Sequence, residues 1–131
     1  MKMTRVAAIT FAVVVVGVVG FQLALAGGAP WGEYAMGGAF PGQFPPALRV
    51  AAVGQAIILL LLAAVVLARA GVALPRWSNA ARRLIWVVVA FATLSLLLNL
   101  ITPSAGERAI WAPVAFLLFV CSLLVALKRQ R

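Results

Sequence analysis

Four stretches of the chain are almost uninterruptedly apolar, at about residues 6–26, 49–69, 83–102 and 108–127. Segments that are polar or rich in Pro and Gly separate them. A helix rising about 1.5 Å per residue crosses a hydrocarbon core of about 30 Å in about 20 residues, so each stretch predicts one membrane-spanning helix. The punctuation agrees. Gly27-Gly28 followed by Pro30 predicts the end of the first helix, and Pro45-Pro46 opens the second with a ring suited to a first helical turn. Gly71 and Pro75 follow the second helix, Ser78 or Asn79 is placed to cap the third, and Pro103 ends it. Ser104-Ala-Gly-Glu107 has the spacing of a capping box for the fourth.

The predicted architecture is therefore all-α, a single transmembrane four-helix bundle over residues 1–131 with a long outer loop at 27–46. Charges bracket the helices regularly: Arg49 and Arg69 flank the second as Arg108 and Lys128 flank the fourth, and Arg5 precedes Gln22 as Arg82 precedes Asn99. The chain reads as two tandem helical hairpins related by an axis along the membrane normal. Membrane thickness alone would impose similar spacing. In this alignment Gly54 falls opposite Pro113, and both residues weaken a helix locally.

Composition identifies the solvent. The 131 residues are 66% hydrophobic and 10% charged, with a mean hydropathy of +1.15. A soluble domain has about 45–50% apolar and about 25% charged residues. There are 11 Lys and Arg, 2 acidic residues (Glu33 and Glu107) and no His. With neither His nor Asp, a hydrolytic triad is excluded and a protein-built zinc or haem site has no ligand set, so no metal or cofactor is expected. The single Cys121 excludes an intrachain disulfide.

Basic residues also predict orientation. Lys2, Arg5, Arg69, Arg76, Arg82, Arg83, Lys128, Arg129 and Arg131 fall on one side of an even-span topology, leaving Arg49 and Arg108 on the other with both glutamates. This asymmetry predicts a multi-pass protein of the cytoplasmic (inner) membrane with both termini in the cytoplasm. Trp77 and Trp86 flank the inner boundary, Trp31 and Trp111 the outer one. The basic side is read as setting topology, not as a nucleic-acid surface. Lys2, Arg5 and the Ala24-Leu25-Ala26 segment imitate a signal peptide, but the apolar run exceeds the usual signal core, so a retained span is expected.

Stripes of small residues predict close helix packing: Gly17, Gly20, Ala24 and Gly27 on the first helix, Ala92, Ser95, Asn99 and Thr102 on the third, and Ala112, Ala115, Ser122 and Ala126 on the fourth. Cys121 is read as a small buried hydrophobe. Candidate chemistry gathers near the outer ends. Gln22, Gln55 and Asn99 come from three helices at similar depth, and intramembrane polar groups either bond helices together or line a site. The first outer loop is long for a bundle connection and carries Trp31, Tyr34, Met36, Phe40 and Phe44. It is an aromatic anchor at the headgroups or a lid over a pocket. Arg49 and Arg108 occupy first helical turns, where the macrodipole disfavours cations. Glu107 is accounted for by its capping box, so Glu33 is expected to pair with one of these arginines. Convergent amides beneath the loop predict an outer cavity, with backbone carbonyls loosened near Gly54 and Pro113.

The segment Phe21-Gln-Leu-Ala-Leu-Ala-Gly-Gly-Ala-Pro-Trp-Gly-Glu33 and the later Pro103-Ser-x-x-Glu-Arg-x-x-Trp-Ala-Pro113 resemble a group of uncharacterised small bacterial four-span integral membrane proteins. The resemblance covers about a third of the chain and implies no activity. Three readings follow. The first is a non-catalytic module that binds a lipid or amphiphile, or a partner helix, through Gln22, Gln55, Asn99, Glu33, Tyr34, Arg49 and Arg108. The alternative is a small transporter or channel, assembled as a homo-oligomer or within a larger membrane complex. The third is a membrane enzyme acting on lipid or quinone, which would have to rely on Glu33, Tyr34, Arg49 and Arg108. Membrane lipids are the partners expected in every case.

Overall fold

The computed structural model describes residues 2–35 and 38–128. Met36 of the loop and Arg129 and Arg131 of the charge count lie outside the described residues. Four helices occupy most of the chain: α1 (Lys2–Ala26), α2 (Pro46–Ala70), α3 (Ser78–Ile101) and α4 (Ala105–Ala126). Each is long and apolar enough to cross a membrane, which makes this a multi-pass membrane protein. Their C-terminal ends fall within a residue of those expected, whereas the N-terminal ends begin three to five residues earlier. Helical hydrogen bonding continues past the apolar stretch through Lys2 and Arg5 of α1 and through Arg82 and Arg83 of α3.

Chain ends and turns follow local chemistry. At the end of α1 the Ala29 N–H reaches back to the Ala24 carbonyl at 2.9 Å, and Gly28 supplies the required positive φ of 103°. Gly71 does the same after α2 with φ 76°, and the Val72 N–H bonds the Leu67 carbonyl at 3.0 Å. Pro46 sits in the first turn of α2, as its fixed φ favours. The expected cap on α3 does not form. Neither Ser78 nor Asn79 closes the helix; a short 3-10 turn, Pro75–Trp77, leads directly into it with no side-chain cap.

The helices alternate in direction around a ring. Arg69 at the end of α2 and Lys128 beyond α4 each donate to the other's carbonyl, at 2.8 and 3.3 Å, so both chain ends lie at one face with the 71–77 turn. That face is called the termini end here, and the opposite one, with residues 27–45 and 102–104, the loop end. Among neighbours around this ring, packing is tightest within the pairs α1–α2 and α3–α4 and loosest between α2 and α3. Phe11, Val15, Leu59, Val66, Ile85, Val88, Leu118 and Val125 form an apolar core from the middle of the bundle toward the termini end, with Cys121 buried among them. A smaller cluster of Leu25, Phe44 and Ala52 joins the loop to α1 and α2.

α3 leaves this core early. Its buried residues are Ala81, Ile85, Val88, Val89 and Ala92, while Leu94, Leu98 and Ile101 further along are 57%, 54% and 74% exposed. The stripes on α3 and α4 face inward as expected, with Ala92, Thr102, Ala115, Ser122 and Ala126 buried. The stripe on α1 does not. Gly17, Gly20 and Gly27 are exposed, and a methyl group at Gly17 or Gly20 would meet nothing within 4 Å. α1 instead packs through Ala7, Ala8, Phe11, Val15 and Val19. An all-apolar helix has no polar face to turn away from its neighbours, so side-chain fit decides the orientation.

Candidate functional site

Beside the looser contact of α3 with α2, a cavity of about 720 Å³ runs from beneath the loop past the middle of the bundle, as far as Phe11, Leu62 and Val88. This is within the range of about 300–1,000 Å³ that small-ligand sites occupy. Gln22 of α1, Gln55 of α2 and Asn99 of α3 all line it. Asn99 Nδ2 donates to the Ser95 carbonyl one turn back at 2.7 Å. The side chains of Gln22 and Gln55 make no hydrogen bond among the described residues. The three amides therefore do not tie the helices to one another. Gln55, Leu94, Leu98 and Ile101 are exposed lining residues on α2 and α3, so the mouth lies laterally between these two helices.

Above the amides the first loop is folded onto the bundle. Its backbone closes through the Gly32 N–H to the Gly42 carbonyl at 2.9 Å, and Tyr34, Ala35 and Phe44 contribute to the cavity wall. An aromatic column fixes it from below. Trp31 stacks on Phe21 with ring centres 6.3 Å apart, and Phe21 meets Trp111 edge to face at 4.7 Å. Trp111 Nε1 then donates to the Tyr34 carbonyl at 2.7 Å. The Tyr34 ring covers Gly106, where a β-carbon would stand 2.7 Å from it.

The charged residues are placed differently from expectation. Glu33 is exposed, does not line the cavity, and pairs with neither Arg49 nor Arg108. Only its carbonyl is engaged, accepting from Ser104 Oγ at 2.9 Å. Arg49 folds back, with Nε donating to the Phe44 carbonyl at 2.8 Å and its guanidinium against Gly28, just past the C-terminus of α1. The negative end of that helix and a carbonyl supply the compensation that Glu33 was expected to give. Arg108 is exposed, and neither arginine lines the cavity. Gly54 and Pro113 also stay outside it, and α2 and α4 run unbroken through them.

Glu107 is the residue that sequence reasoning passed over. Half of the capping box forms: Ser104 Oγ accepts from the Glu107 N–H at 3.2 Å. The reciprocal half does not, because the Ser104 N–H turns to Thr102 Oγ1 at 3.4 Å. Released from capping, the Glu107 side chain lines the cavity and is only 9% exposed. Its Oε2 is buried with no hydrogen-bond partner. Such an atom costs on the order of 1–3 kcal/mol or more. The first turn of α4 favours a carboxylate there through the helix dipole but leaves that oxygen unsatisfied. Among the described residues Glu107 is the only charged one in the lining, which otherwise combines Gln22, Gln55, Ser95, Asn99 and Thr102 with apolar and aromatic walls.

The only sequence signal for this was the lack of any other carboxylate near the spans. Comparison with known protein families, with curated proteins and with solved structures finds no match to the chain.

Proposed function

We propose that this chain is a non-catalytic membrane module that takes up a lipid or other amphiphile through the gap between α2 and α3. The carrying observation is one cavity lined by Gln22, Gln55 and Asn99, with two of the three amides unbonded among the described residues and the mouth lateral. A lateral mouth suits a molecule that arrives from the bilayer, with its tail among Val18, Leu59, Leu62 and Leu98 and its polar end beneath the loop. In this reading the protein lies in the bacterial cytoplasmic membrane with both termini in the cytoplasm, and the cavity faces the outer leaflet. The positions of the basic residues support that orientation.

The test is native mass spectrometry of the purified protein beside a Gln22→Leu/Asn99→Leu double variant. A small molecule should co-purify with the parent chain and be lost from the variant, with helicity unchanged. Equal spectra from the two proteins would remove the site. A second reading, a small oligomeric channel or transporter, has one observation in its favour, the exposed Gly17 and Gly20 face of α1, which allows another helix to approach closely. Cross-linking between copies of a Gly20→Cys variant in membranes tests it, and the absence of cross-linked dimer would end it.

A further inference from the structure

The electrostatics of the cavity are one-sided. Glu107, nine-tenths buried and with Oε2 unpartnered, is its only charged lining residue among those described. Among the described residues no Lys or Arg lines the wall: Arg49 is held by the Phe44 carbonyl and Arg108 is exposed outside it. An anionic headgroup entering here would meet a carboxylate with no cation to offset it. The same cavity wall carries the rings of Phe21, Tyr34, Phe44 and Trp111, and aromatic ring faces attract cations. Glu107 is shielded from solvent by its burial, so charge–charge attraction there is stronger than at an open surface.

Building on the amphiphile-binding reading, we infer that the cavity selects amphiphiles bearing an ammonium group, which is held by the Glu107 carboxylate and the surrounding aromatic rings. An ammonium group carries donors and no acceptor, which suits a carboxylate whose Oε2 has no partner of its own. The apolar remainder of the molecule fills the gap between α2 and α3. The ammonium belongs either to a lipid headgroup or to a free alkylamine, and the carboxylate treats the two alike.

The experiment compares binding of dodecylammonium and of dodecanol, which share a tail, to the protein in phosphatidylcholine nanodiscs by native mass spectrometry. The parent chain should prefer dodecylammonium by at least about tenfold, the scale of a hydrogen bond to a charged group. Glu107→Gln should abolish the preference, Glu107→Asp should retain part of it, and Glu33→Gln, which alters an exposed carboxylate outside the cavity, should leave it unchanged. A parallel preparation containing phosphatidylethanolamine separates the sources. Its retention by the parent chain and loss from Glu107→Gln identifies a headgroup ligand, whereas retention of the added amine alone identifies a free amphiphile. If both probes bind equally to the parent chain and to Glu107→Gln, the ammonium inference is overturned while amphiphile binding stands. If neither binds, both fail together.

Discussion

A methyl group has opposite consequences at two glycines fifteen positions apart. At Gly32 a β-carbon would collide with the Phe40 carbonyl and stand 2.7 Å from the Gly42 carbonyl, both parts of the backbone that closes the loop. Gly32→Ala should lower stability by about 1–3 kcal/mol. Gly17 has open space around it inside α1, so Gly17→Ala should be neutral or stabilising by about 0.5–1 kcal/mol. Denaturation of both variants in one detergent checks the pair, and equal effects would refute the loop geometry. The two fates of Ser104 and Glu107 show what a local pattern can say. Ser104 caps α4 as its spacing indicates, but the same spacing allows the Glu107 side chain either to return to the Ser104 N–H or to turn inward. That choice depends on the loop docked above it, which no local pattern contains. Arg49 is a similar case, since its partner is the end of another helix and a carbonyl, neither of which is a residue type to be counted.

Trp111 ties the loop to the bundle through its bond to the Tyr34 carbonyl and its contact with Phe21, on which Trp31 stacks. Trp111→Phe keeps a ring against Phe21 but removes the donor to the Tyr34 carbonyl. The expected result is a loss of about 1 kcal/mol with faster hydrogen exchange over residues 29–35; unchanged exchange would mean that the column does not anchor the loop. The four helices were legible because apolar length is a local property, and Gly28, Gly71 and Pro46 mark three of their ends in the expected way. Which face each helix turns inward was legible on α3 and α4, where Ser95, Asn99 and Ser122 add polarity to the small stripe. On α1 the small stripe lies outward and the larger Phe11, Val15 and Val19 fill the core. Two segments distant in sequence, 21–33 and 103–113, meet in the aromatic column: Phe21 and Trp31 come from the first, Trp111 from the second, and Ser104 of the second bonds Glu33 of the first.

For the whole molecule, two properties carry the account, its orientation and its lateral opening. Orientation rests on the uneven basic residues, with Arg69, Arg76, Arg82 and Lys128 gathered at the termini end. Cysteines introduced at Ala39 and Ala105 should react with an impermeant thiol reagent in intact cells, and one at Asn79 should not. Native Cys121 is buried and should stay silent. Labelling at Asn79 alone would reverse the orientation. The opening follows from α3, which buries nothing in the core beyond Ala92 while α1, α2 and the loop close around the other sides. The most direct measurement is a density map of the protein in lipid nanodiscs. The account predicts elongated density entering between α2 and α3 beside Leu59 and Leu98, with its polar end at Glu107. A map with α3 closed onto α2, Gln22, Gln55 and Asn99 bonded to one another and no space beneath the loop would contradict it.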